Sequence, residues 1–186
     1  MATVIILVVA GILIIWLISI YNRIIRLRNR RENAFADIDV QLRQRHDLVP
    51  QLVETVKGYA THERELLTRI TEARTAAMQA TTIDEKIKAE TNLAGALQGL
   101  KIAVENYPDL KANQNFLQLQ EELSDIENKL AAARRFFNAA TTEYNTGIET
   151  FPANLIASNF GFRRETMFDL GPEKRETLEE PPVIKF

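Results

Sequence analysis

The sequence has no cysteine, and only seven glycines and six prolines in 186 residues. Without cysteine there can be no disulfide, no thiolate nucleophile and no cysteine-ligated zinc, although this does not fix the compartment. So few glycines and prolines leave few places for turns, which implies a small number of long elements. A glycine-rich phosphate loop is missing, as are the Glu-x-x-His pairs on two helices that di-metal carboxylate bundles require. His46 and His62 are far apart in sequence, and His62-Glu63 lacks the second histidine of a zincin helix. Ser19 falls in an apolar run, and Ser124 and Ser158 have no histidine nearby. The isoelectric point of about 5.8 and the lack of an aromatic platform beside the basic residues argue against nucleic-acid binding. These absences point away from an enzyme and predict no cofactor and no metal site.

What is present starts with the run MATVIILVVAGILIIWLISI, residues 1–20, which carries no charged side chain. As a helix it covers roughly 30 Å, the thickness of a bilayer core. It has no basic stretch before it and exceeds the apolar core of a secretory signal, so it reads as a transmembrane helix. Trp16 and Tyr21 approach its far end, where amphipathic rings favour the water interface, and Arg23, Arg26, Arg28, Arg30 and Arg31 come next as a solvated collar. The positive-inside rule then puts the body in the cytoplasm and the short N-terminus outside. Contact with anionic head groups follows from the same charges.

Residues 21–50 hold seven Arg against four acids, whereas residues 82–130 hold nine acids against five Lys. Beyond the collar, Leu27, Ala34, Ile38, Val49, Leu52, Val56, Tyr59, Leu66, Ile70, Ala73 and Ala77 recur at helical spacing. Arg31, Gln41 or Leu42, and Arg45 interrupt this seam, and Pro50 must either kink or restart the helix. Thr81, Thr82 and Asp84 offer N-caps for a second run through Ile87, Leu93, Leu97, Leu100 and Val104, weakened by Gly95 and Gly99. Asn106, Tyr107 and Pro108 mark the next boundary. Leu119, Leu123, Ile126, Leu130, Ala133, Phe137, Ala140, Tyr144, Gly147 and Phe151 then alternate in steps of four and three, a heptad seam of coiled-coil type. No Gly or Pro interrupts 109–146, roughly 57 Å if helical, and this helix should pack lengthwise on the first. Pro152 ends it, a short helical turn follows through Ile156 and Ala157, and Gly161 releases the chain. The predicted fold is all-α: an anchor at 1–21, an antiparallel bundle of three to four long helices at 22–160, and an irregular, extended tail at 161–186.

Several runs resemble the LemA family of bacterial proteins: YNRIIRLRNRRENAFADIDVQLRQRHDLVPQLVETVKGYATHE (21–63), VENYPDLKANQNFLQLQEEL (104–123), ARRFFNAATTEYNTGIETFP (133–152), IASNFGF (156–162) and the terminal PPVIKF. The resemblance covers nearly the whole chain. It implies a bacterial inner-membrane protein with an extracytoplasmic N-terminus and a four-helix-bundle-like body. It implies no established enzymatic activity, and a relative in magnetotactic bacteria is required in building magnetosome membranes.

The densest titratable cluster is Asp37, Asp39, Arg43, Arg45, His46 and Asp47. It reads as an ion-pair network across the bundle, with Arg134 and Arg135 of the final helix as partners and with Asn138 and Asn145 beside the apolar seam in the same register-setting role. Two functions fit. In the first, a scaffold self-associates into a higher-order homo-oligomer that organises or bends membrane, with Phe136 and Phe137 amid small residues, and Phe186, as contacts; Phe136 could equally cap the intramolecular core. In the second, a tethered adaptor recruits an unidentified protein partner through its acidic helical surface or its C-terminal tail.

Overall fold

The computed structural model describes residues 1–60 and 63–168, which form six helices and, among the described residues, no strand. The first helix, α1, runs unbroken from Ala2 to Lys57. Pro50 therefore neither restarts nor ends it. A proline at this position supplies no amide hydrogen, which leaves the carbonyl of His46, four residues back, without its helical donor. Arg74 fills the vacancy: its Nε donates to the His46 carbonyl at 2.7 Å. The helix ends instead at Gly58 and Tyr59, where the Ala60 amide donates to the Val56 carbonyl at 2.8 Å.

Helix α2 spans Arg64–Gln79 and α3 spans Ile83–Val104. Of the N-caps offered by Thr81, Thr82 and Asp84, Thr82 is the one that caps α3, and its partner is Glu85, which sequence reasoning did not name. Thr82 accepts from the Glu85 amide, and the Glu85 carboxylate accepts from the amides of Thr81 and Thr82, so three amide donors at the helix start are satisfied. A four-residue helix, α4 (Pro108–Lys111), follows the Asn106–Pro108 boundary. The uninterrupted helix expected over 109–146 is broken at Ala112 and Asn113. The Asn113 carboxamide takes the Phe116 amide at 3.0 Å and starts α5, Gln114–Glu149. Helix α6, Ala153–Phe160, closes on Gly161, whose φ of 73° is the left-handed cap that glycine adopts without strain.

The helices build two units. The first comprises Met1–Asp39 and Ala131–Met167. Here α1 and α5 run antiparallel in a constant register: Arg30 pairs with Glu143, Arg31 with Thr141, and Phe35 stacks edge-on to Phe137. Gly147 lies so close to Leu27 that an added Cβ would come within 2.5 Å of its Cδ1. Ile24, Tyr144, Ile148, Ile156 and Ala157 form a core that α6 completes. The second unit contains Val40–Leu130. Its core joins Val49, Leu52, Val53 and Val56 of α1 to Leu67 and Ile70 of α2, to Leu93, Leu97 and Leu100 of α3, and to Phe116 and Leu119 of α5. Helices α2 and α3 are antiparallel, as shown by Leu66 lying against Gly99 while Ala80 leads straight into α3.

The heptad seam of α5 is buried or half-buried from Leu119 to Gly147; only its last member, Phe151, beyond the helix, is exposed. The tail expected at 161–186 is described only to residue 168, where it has no regular secondary structure. His62, Phe186 and the rest of the tail lie outside the described residues.

Candidate functional site

The interface residues fall into two groups. Trp16 is exposed, as is the whole apolar run around it: an 18-residue window at the start of α1 has none of its residues buried. Tyr21 is half-buried, with ring centroids 5.0 Å from Phe160 and 5.8 Å from Phe162. Arg23 and Arg26 are exposed. Arg28 pairs with Glu32 one turn on at 3.1 Å, and Arg30 with Glu143 at 2.7 Å.

Arg31 stands apart, since it is buried. Its Nε donates to Thr141 Oγ1 at 3.3 Å, its Nη2 to the Thr166 carbonyl at 3.3 Å, and its Nη1 meets Glu165 at 3.2 Å. The guanidinium lies 4.9 Å over the Phe137 ring, so the cation is matched by a π face as well as by oxygens. Asn145 completes the arrangement. Its amide donates to the Glu165 carbonyl at 3.0 Å and its oxygen accepts from the Glu165 amide at 2.9 Å. Together Arg31 and Asn145 sew the extended segment after Gly161 onto α1 and α5.

The titratable cluster is divided between the units. Asp37, Asp39, Arg134, Arg135, Asn138 and Asn145 belong to the first; Arg43, Arg45, His46 and Asp47 belong to the second. Asp37, Arg43, Asp47 and Arg135 are exposed, while Asp39, Arg134 and Asn138 are half-buried. Arg45 and His46 are buried, and the partner they share is Glu90 of α3, which sequence reasoning did not single out. Arg45 Nη2 pairs with Glu90 Oε2, and His46 Nε2 lies 2.6 Å from Glu90 Oε1. An ionised carboxylate accepts only, so the proton of that bond sits on His46 Nε2. Burial, the largest single influence, pushes the Glu90 carboxyl up, but the hydrogen bonds and charges of His46 and Arg45 combined hold the group below its ordinary value. Arg45 Nε finds no acceptor among the described residues.

Glu90 left a signal in the sequence. It falls on the apolar face of α3, in step with Ile87, Leu93, Leu97, Leu100 and Val104, and an acid in such a position is buried or the helix is misread. All three side chains are buried, and the centre ties α1 to α3. Among the described residues no group of three or more His, Asp or Glu gathers in a way that could hold a metal ion.

Residues 34–186 match the LemA family model. The chain belongs to the LemA family. The family match therefore takes in α1 from Ala34 onward and every helix after it. The LemA protein of Metamycoplasma hominis is 26% identical over 162 residues, covering 85% of this chain and 73% of that protein. Two magnetosome proteins are also similar: MamQ 2 of Paramagnetospirillum magneticum at 23% identity and MamQ of Magnetospirillum gryphiswaldense at 21%, each covering 89% of this chain and 70% of the relative. Among the described residues one helix is long and apolar enough to cross a membrane, and together with the family match and these relatives it fits a membrane-anchored, single-pass protein.

Proposed function

We propose that this LemA-family protein is a non-enzymatic structural element of the bacterial inner membrane, with its N-terminus outside, its helical body in the cytoplasm, and self-association in the membrane plane that organises or shapes the bilayer. The observation that carries the anchoring is where the protein partner of α1 stops. Helix α5 ends at Glu149, level with Arg23 of the collar, and the apolar residues N-terminal to Ile20 are left bare along their length. Lipid is the solvent that removes the cost of that bare surface. The collar arginines favour the cytoplasmic side for the helical body.

Self-association is supported by Phe136, which is 49% exposed between the exposed Ala132 and Ala139 on α5. Small residues beside an aromatic anchor suit helix-to-helix contact between copies. Phe137, by contrast, is fully buried under Arg31. Light scattering of gently solubilised protein tests this reading: a mass of several protomers is expected, reduced by Phe136→Asp, and monomers alone overturn it. Protease protection in inside-out membrane vesicles checks the orientation, with the body expected to be digested.

The adaptor reading has its own support in charge. Of the nine acids between residues 82 and 130, every one except Glu90 is exposed, so α3 and the start of α5 present a negative surface that suits a basic protein partner. Salt-sensitive capture of such a partner by the intact oligomer would favour recruitment over scaffolding alone.

A further inference from the structure

We propose that α6 is a second contact with the bilayer, an interfacial helix lying beside the span, with Phe151, Leu155 and Phe160 sunk among the lipid head groups and upper acyl chains. The inference rests on the reading of residues 1–20 as membrane-spanning. It assigns to lipid a surface that this reading does not use.

The composition of the segment is unusual for so charged a protein. From Thr150 to Phe162 there is no ionisable side chain, and Arg163 and Arg164 come directly after. One face of α6 is accounted for: Ile156 and Ala157 are buried in the core around Ile24, Tyr144 and Ile148. The rest of its surface is bare, and there the exposed Asn154, Ser158 and Asn159 stand beside large apolar side chains. Phe151 is 79% exposed, Leu155 57% and Phe160 65%. Three large apolar side chains bared together on a short uncharged segment mark a surface that something covers.

Its position says what covers it. Phe160 stacks on Tyr21, and Phe162 stacks on the same ring from nearby. Tyr21 is the residue immediately after the uncharged run, so α6 sits at the level where the span ends. Ile20 and Tyr21 also pack against the core that α6 completes, which sets α6 beside the end of the span. The charges agree with this placement. Arg23 and Arg26 on α1 and Arg163 just past α6 are exposed near this end of the unit, where they meet phosphates when the aromatic rings lie just below, while the exposed Arg164 pairs with Glu149 at 2.8 Å. A short uncharged segment with exposed aromatic and leucine side chains, flanked by arginines and set at the level where the span ends, suits a helix lying in the membrane plane.

The test uses full-length protein in vesicles of phosphatidylcholine and phosphatidylglycerol carrying bromine at defined depths along the acyl chains. Trp16 is the single tryptophan, so wild-type quenching reports on the span itself. In a Trp16→Phe background, Phe160→Trp places the only indole at the exposed C-terminal end of α6. A blue-shifted emission is expected, with loss of intensity greatest for bromines nearest the head groups and a loss there comparable with that of Trp16. Phe151→Trp repeats the measurement at a site so exposed that substitution disturbs little packing. If Trp16 is quenched but neither introduced indole is, α6 faces water and the proposal falls while the anchor stands. If the indoles are shielded yet unquenched, and their emission changes as protein is diluted into lipid, a second copy covers the face and the proposal also falls. If Trp16 itself escapes quenching, the spanning reading fails and takes this one with it.

Discussion

Arg31 and Arg45 lie fourteen residues apart on the same helix, and both are buried, yet the two units neutralise them in opposite ways. In the first unit the charge is spread over a threonine hydroxyl, a backbone carbonyl, an aromatic face and a half-buried carboxylate. In the second it is concentrated on one carboxylate that is itself buried. A dispersed set loses little when one member goes, whereas a concentrated pair turns the removal of one member into an isolated buried charge. Each unit is therefore brittle in a different place.

The largest effect is expected from Glu90→Gln, which strands Arg45 and should cost about 3–5 kcal/mol in chemical denaturation. Replacing the pair together, Arg45→Met with Glu90→Leu, should recover most of that loss. If it does not, packing rather than charge governs the centre. The same carboxylate predicts a pH dependence. Its folded pKa is depressed, so its contribution is complete above the ordinary carboxylate value of about 4.3 and is lost as the pH falls through the lower folded value. A melting-temperature series on acidification should show this component in the wild type and lack it in Glu90→Gln.

Next comes Arg74→Met, expected to cost about 1.5–3 kcal/mol because the His46 carbonyl loses a charged donor in a half-buried setting. Pro50→Ala should restore the missing amide, so the two substitutions should be strongly non-additive in a double-mutant cycle. For the dispersed site, Asn145→Ala should cost about 1–3 kcal/mol and speed cleavage after Arg163 and Arg164 in limited proteolysis, since the Glu165 backbone is released. Gly147 probes the packing of the first unit. Gly147→Leu should cost about 1–3 kcal/mol by overpacking against Leu27, whereas Gly147→Ala should be close to neutral, because the end of Leu27 can swing away while helix propensity improves. The smallest effect is expected for Arg134→Glu, roughly 1 kcal/mol or less if its role is to hold register with Asp37 and Asp39. An unchanged melting temperature and unchanged assembly would remove that role.

The helices were legible because periodicity and capping are local. The Thr82 cap, the Asn106–Pro108 boundary and the stop at Pro152 all depend on residues within a few positions of one another. Pro50 was not resolvable because its outcome depends on Arg74, a residue on another helix. The break at Asn113 was legible in kind, since asparagine caps helices, but a search for glycine and proline alone passes over it. The buried charges follow one rule that the heptad positions carry: Arg31, Arg45 and Glu90 each occupy an apolar-face position, and each is inside. For Arg31, proximity to the membrane suggested a solvated collar, and the seam position proved the better guide. The Arg31 and Asn145 contacts to the chain after Gly161 were beyond reach, because they involve backbone groups that no residue pattern advertises.

The proline in α1 has a consequence for how such a protein can change over generations. If Pro50 is lost first, the helix regains its amide and Arg74 turns outward to water, so the intermediate survives. If Arg74 is lost first, a carbonyl is left with neither donor. The two changes therefore have a preferred order, and a descendant carrying neither residue is expected to have passed through the form that kept the arginine.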